Sequence, residues 1–172
     1  ADAVKFQIFQ AEKLVSRQAE KADYQKVSTG AGESQYSMLK KLELSYADFS
    51  ALKQLADELD IDFLSTAFDL ESIDFLVESD VSCLKVPSGE ITNYPYLVRT
   101  AQAGLPVILS TGMSTMREVE AAYNLLRAKG AGDIVMLHCN TEYPTPMEDV
   151  NLRAMNTLAA RFGTPVGYSD HT

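Results

Sequence analysis

Short apolar runs recur along the chain, and each ends in small or polar residues: Val4–Phe9, Asp62–Thr66, Cys83–Pro87, Pro106–Ser110, Ile134–Cys139 and Val166–Ser169. Runs of this length bounded by turn formers predict strands. Between most of them lie segments with helical spacing. Tyr46–Leu59 sets Leu52, Leu55, Ala56 and Leu59 on one face, and Met116–Ala128 follows Ser114 or Thr115 as a cap, with Glu118 in its first turn and Lys129-Gly130 at its end. Lys26–Leu44 is less regular; Thr29-Gly30-Ala31-Gly32 supplies turn material in a long loop, followed by a short helix over Ser37–Leu44.

Strand then helix, repeated, implies parallel strands joined by crossovers. From the second strand onward, successive strands begin about 21 to 32 residues apart, one βα unit each. An α/β fold of the TIM (β/α)8 barrel type is therefore expected over 1–172, as a partial barrel of about six units; a full barrel has eight, in roughly 250 residues. An open doubly wound sheet is the alternative, but no Gly-x-Gly-x-x-Gly follows the first strand. The chain starts without Met and stops just after an apolar run, so the expected barrel lacks its first and last units.

Composition narrows the partners. The 172 residues are 46% hydrophobic and 23% charged, as in ordinary globular domains. A net charge of −9 disfavours nucleic acid or an anionic membrane as the main partner, and any anionic ligand must meet a local basic pocket. No segment reaches the roughly eighteen apolar residues of a membrane span, and the N-terminus lacks a basic region followed by an apolar stretch, so export is not expected. Cys83 and Cys139 sit in apolar runs and read as reduced core thiols, so a cytoplasmic location is expected.

Polar residues concentrate where strands end, the place where barrel enzymes build their sites. Lys5 and Gln7 alternate with Phe6 and Ile8, so they share a face. Lys85 repeats the pattern ahead of the Ser88-Gly89 turn, and two strand lysines converging on one mouth would suit a phosphate or carboxylate. The bland alternative pairs Lys5 with a buried carboxylate. Ser65-Thr66 and Ser110-Thr111-Gly112 offer donors, or simply cap the next helices. His171 beside Asp170 is a metal ligand, an acid/base or a hydrogen-bonding core residue. His138, inside its strand, is the poorer ligand, and the two cysteines do not have zinc-site spacing.

Several strings resemble the bacterial N-acetylneuraminate (sialic acid) synthases and the related legionaminic and pseudaminic acid synthases: VKFQIF (4–9), ESQYSMLKKLELS (33–45), FLSTAFD (63–69), LKVPSGE (84–90), ILSTGM (108–113), LHCNTEYPTPMEDVNL (137–152) and GYSDHT (167–172). The resemblance implies a TIM barrel condensing phosphoenolpyruvate with an open-chain N-acetylated hexose and releasing phosphate; HCNTEYPTP is more similar to the sialic acid branch, so N-acetylmannosamine is the expected sugar and the related acetamido sugar of a legionaminic or pseudaminic acid synthase the alternative. It implies Lys5, Lys85 and Glu90 as the catalytic group, with Glu90 toward the sugar. Gln7, Thr66, Ser88, Ser110, Thr141, Tyr143 and Ser169 are the implied substrate-binding group; relatives carry Ser or Asn at Thr141. His171 resembles one of two histidine ligands of a Mn2+ or Mg2+ ion. The family's first strand, its second metal histidine and a C-terminal antifreeze-like domain that reaches the partner of a homodimer have no counterpart in these residues, so this chain alone is expected to be inactive. A Schiff-base pyruvate aldolase using Lys85 or Lys5, and a sugar-phosphate-binding module without catalysis, are the rival readings.

Overall fold

The computed structural model describes residues 1–22, 25–26 and 32–172, and the turn expected over Thr29-Gly30-Ala31 lies outside the described residues. Six parallel strands, β1 (Ala3–Ile8), β2 (Asp62–Ala67), β3 (Leu84–Val86), β4 (Val107–Ser110), β5 (Ile134–Cys139) and β6 (Val166–Ser169), form one sheet in the order of the chain. That order never reverses. A doubly wound sheet needs a reversal to place helices on both faces, whereas right-handed crossovers running one way put every helix on the same side. The result is a half-barrel with helices outside and an open inner face.

The helices whose bounds lie in the described residues are α1 (Ala11–Leu14), α2 (Gln35–Leu42), α3 (Tyr46–Glu58), α4 (Leu70–Glu78), α5 (Tyr94–Gln102), α6 (Met116–Ala128) and α7 (Ala154–Phe162). Their starts follow local chemistry. Ser45 Oγ accepts the Asp48 N–H while the Asp48 carboxylate accepts that of Ser45, and Thr115, not Ser114, forms the same reciprocal box with Glu118 on α6. The short helix expected over Ser37–Leu44 is α2, beginning two residues earlier because Ser34 caps it.

Alternation along the strands divides the side chains between two faces. Ile8, Phe63, Leu84, Val86, Val107, Leu109, Ile134 and Met136 point outward and are buried under the helices, meeting Phe49, Leu76, Leu97, Ala101, Val119, Leu126 and Leu158. Burying each such aliphatic side chain contributes about 1.5–3 kcal/mol. The α3 face differs from the expected one. Phe49 and Ala56 are buried and Leu52 packs beside them, but Leu55 and Leu59 are 50% and 61% exposed. The helix turns roughly 100° per residue, so with Ala56 inward Leu55 swings to the flank, and Leu59 falls on the cap beyond the last helical turn.

Candidate active site

Register carries the inner face across the sheet. Gln7 pairs with Thr66 and Thr66 with Lys85, while Ser110 pairs with Leu137 and Cys139 with Ser169. Side chains from these C-terminal strand ends line a cavity of about 250 Å3, together with Phe68, Pro87, Ser88, Gly89, Thr141, Tyr143, His171 and Lys5. Sites for drug-sized ligands run to roughly 300–1,000 Å3, so this one suits a smaller molecule. A larger cavity of about 550 Å3 lies between α6 and α7, sharing Cys139 and Thr141 with the first. It holds Arg153 and Asp149, charges of opposite sign, and lacks the paired cations.

The two lysines define the electrostatics. Among the described residues neither Lys5 nor Lys85 is ion-paired with a carboxylate, so the bland pairing expected of buried lysines does not occur here. Lys85 Nζ donates a short hydrogen bond to Ser110 Oγ. Burial of its ammonium, reinforced by the positive charge of Lys5 and partly offset by Cys139, pushes the Lys85 pKa down to about 8. Lys5 stands at the outer strand and is well exposed, yet the cavity wall still desolvates it enough to lower its pKa. Lys5 thus acts on Lys85 through its charge, and two cations stand on one wall with no carboxylate paired to either among the described residues.

Around them stand neutral donors. Ser88 Oγ accepts the Gly112 N–H at 2.9 Å and lies 3.2 Å from Cys139 Sγ. Thr66 and Ser110 are almost fully buried, and Thr141 is exposed at the rim. Ser169 Oγ is 3.1 Å from His171 Nε2. The Tyr143 ring meets the His171 ring edge-on at 4.5 Å, and the Thr145 N–H donates to the His171 carbonyl at 2.8 Å, which ties the loop after β5 to the segment after β6.

His171 also tests the expected metal. Burial first, then Lys5 and Lys85, lower its pKa, against the opposing pull of Asp170. That favours the neutral imidazole a metal ligand requires. Among the described residues, however, no group of three or more His, Cys, Asp or Glu side chains is placed to hold a metal ion. His171 fits as one ligand, not as a whole site. His138 faces outward, with Nε2 2.8 Å from the Val150 carbonyl oxygen, the hydrogen-bonding role of a structural histidine.

The structure does not bring Glu90 to the cavity wall with the others. It ends the 3-10 turn Ser88–Glu90, and its carboxylate accepts a 2.6 Å hydrogen bond from Asn93, the residue that caps α5. Conversely, sequence reasoning missed Phe68, Pro87 and Cys139 as wall residues. Each stands two positions after an inner-face residue (Thr66, Lys85 and Leu137), so the strand alternation already pointed to them.

A half-barrel of parallel strands that brings two lysines and several hydroxyls to one cavity at its C-terminal strand ends belongs to the (β/α)-barrel class, whose sites lie at that face. The chain belongs to the NeuB family, whose model matches residues 1–172. It is 51% identical over 176 residues to the N,N'-diacetyllegionaminic acid synthase of Legionella pneumophila, covering 100% of this chain and 49% of that one. It is 50% identical over 177 residues to the enzyme of the same name from Campylobacter jejuni, with 100% and 52% covered. The crystal structure of an N-acetylneuraminic acid synthetase from Leptospira borgpetersenii in complex with citrate superposes with a TM-score of 0.84 at 31% identity, covering 100% of this chain and 55% of that one. The chain thus spans about half the length of the curated relatives it matches.

Proposed function

We propose that the protein condenses phosphoenolpyruvate with the open-chain form of an N-acetylated hexose, making a nine-carbon sugar acid and phosphate, and that this chain is its anion-binding part of the catalytic barrel. The observation that carries the reading is the pair of lysines, Lys5 and Lys85, unpaired on one small cavity and flanked by Thr66, Ser88 and Ser110. Cations neutralise the phosphate and carboxylate, and hydroxyls orient them, without themselves reacting. The enolic carbon then attacks the sugar aldehyde, water adds to the resulting cation, and the tetrahedral intermediate expels phosphate. Gln7, Thr141, Tyr143 and Ser169 complete the substrate wall, and Glu90 would have to move from Asn93 to serve the sugar.

The identities of 51% and 50% to legionaminic acid synthases, against 31% to the sialic acid enzyme, favour a deoxy, diacetamido relative of N-acetylmannosamine as the sugar over N-acetylmannosamine itself. A Mn2+ or Mg2+ ion held in part by His171 belongs to this proposal as the group that would polarise the aldehyde, with its other ligands supplied from outside the described residues. No helix among the described residues is long and apolar enough to cross a membrane. A cytoplasmic homodimer remains our reading for the complete enzyme, with this chain alone binding phosphoenolpyruvate but not turning it over.

Calorimetry of this chain with phosphoenolpyruvate, and phosphate release by the complete enzyme across a panel of N-acetylated hexoses, test the proposal; no heat of binding and no phosphate would end it. One observation favours the Schiff-base aldolase as second reading: an amine with its pKa near 8 is a better nucleophile than an ordinary lysine. Borohydride separates the two. A reduced pyruvate adduct on Lys85 supports the aldolase, and its absence alongside phosphate release supports the synthase.

A further inference from the structure

Gly112 follows β4 and is buried, and its backbone lies outside the left-handed region that demands glycine, so space rather than conformation must explain the residue. A methyl group added at its Cα would lie 2.9 Å from Ser88 Oγ, 2.9 Å from Thr141 Cγ2 and 3.1 Å from the Cys139 carbonyl oxygen. Carbon atoms do not pack at 2.9 Å, so at least one of these neighbours would have to move. All three belong to cavity-wall residues. The Gly112 N–H meanwhile donates to Ser88 Oγ at 2.9 Å.

A serine hydroxyl has one hydrogen to give and lone pairs to accept with. Gly112 occupies the acceptor side of Ser88. Its other neighbour is Cys139 Sγ at 3.2 Å, a weak partner in either direction of donation, so the serine hydrogen has no strong acceptor among the contacts of Ser88. An anionic oxygen in the cavity would outcompete that sulfur, because hydrogen bonds to charged acceptors are roughly twice as strong as neutral ones.

We propose that Gly112 is a positioning residue for the anion site: its N–H orients the Ser88 hydroxyl so that the hydrogen is free for the ligand, and its missing side chain lets Ser88, Thr141 and Cys139 close around it. The inference rests on the phosphoenolpyruvate reading and deepens it. On this proposal a methyl group at this position pushes the Ser88 oxygen away, weakening the orienting bond, and touches neither lysine.

The test is phosphoenolpyruvate titration of the chain by calorimetry, with circular dichroism to confirm folding. Gly112→Ala should bind about tenfold more weakly or worse, the scale of one lost hydrogen bond to a charged group. In a Ser88→Ala background the same change should cost less than about threefold, since the bond it disrupts is already gone. If Gly112→Ala does not fold, Gly112→Ala/Thr141→Ser removes one of the three clashing atoms and takes its place. The Gly112 amide resonance needs no substitution: in the unaltered chain it should shift on adding phosphoenolpyruvate, and the shift should vanish in Ser88→Ala. Equal affinity of Gly112→Ala, or fully additive losses, or a silent Gly112 amide with ligand bound, overturns the inference alone. Failure of the unaltered chain to bind overturns the phosphoenolpyruvate reading and this inference with it.

Discussion

The two faces of the sheet are drawn from the same strands and do opposite work. On β4, Val107 and Leu109 point out into the helices and are essentially inaccessible, while Ser110, at the strand end, meets Lys85 of the neighbouring strand on the inner face. On β3 the contrast is sharper still: Leu84 and Val86 are core, and the residue between them is the lysine whose charge the site strains hardest to hold. Apolar contact keeps the outer face together, and nothing there is charged on the strands. The inner face sets hydrogen-bonding groups side by side, Lys85 on Ser110 and Ser169 beside His171, with no carboxylate paired to its lysines among the described residues. A period of two therefore separates stability from ligand binding at single-residue resolution, and substitutions on neighbouring positions should fail in different ways.

The largest effect is expected on the outer face. Leu109→Ala deletes a fully buried side chain between helices and should lower the free energy of unfolding by about 2–5 kcal/mol. Urea denaturation measures it, and phosphoenolpyruvate affinity in the folded fraction should stay within about twofold. A loss under about 1 kcal/mol would show that the outer face is not the core described here. Lys85→Met makes the opposite change, removing a charge but keeping an unbranched stem. Affinity for phosphoenolpyruvate should fall about a hundredfold, in line with the loss of charge-assisted bonds, with the fold intact by circular dichroism. Unchanged affinity would remove Lys85 from the anion site.

The pH dependence sharpens the same contrast. The folded chain gives up the Lys85 proton near pH 8, while the ordinary value is 10.5. Between those values the unfolded state binds more protons, so the stability penalty is fully present below pH 8 and is relieved as pH rises. Ligand binding runs the other way. A bound trianion holds Lys85 protonated, so affinity should drop as pH climbs through 8, by up to about tenfold per unit. Stability rising while affinity falls, with both trends reduced in Lys85→Met, is the expected pattern; parallel trends would separate the titration from the site.

How far the sequence revealed this follows from the same alternation. The strand runs and the convergence of Lys5, Lys85, Thr66, Ser110 and His171 were legible, because each side chain's face follows from its parity in a strand. Cys139 was read as core and stands on the inner wall, since an apolar run buried on one face looks the same from either side. Leu55 and Leu59 misled because helical spacing marks an apolar stripe without saying which edge of it touches the sheet. The Gly112 contacts could not be read at all: they join residues 24, 27 and 29 positions away through space.

The smallest effect is expected where the two faces meet. Between β2 and β3 a single register pair, Thr66 with Lys85, joins two strands that each supply a cavity residue. Tyr96, buried on α5 outside the sheet, reinforces that joint: its hydroxyl donates to the Ala67 carbonyl at 2.8 Å and reaches the Lys85 carbonyl at 3.4 Å. Burial raises its pKa, so it stays a neutral donor at any ordinary pH. Tyr96→Phe keeps the ring and its packing but leaves a buried carbonyl without its donor, a cost of about 1–2 kcal/mol in unfolding experiments. If the joint also sets the spacing of Thr66 and Lys85, phosphoenolpyruvate affinity should weaken about twofold to threefold, far less than for Lys85→Met. A stability loss with wholly unchanged affinity would mean that the helical layer holds the sheet together without tuning the inner face, and the two faces would then be independent even where a single side chain touches the backbone of both strands.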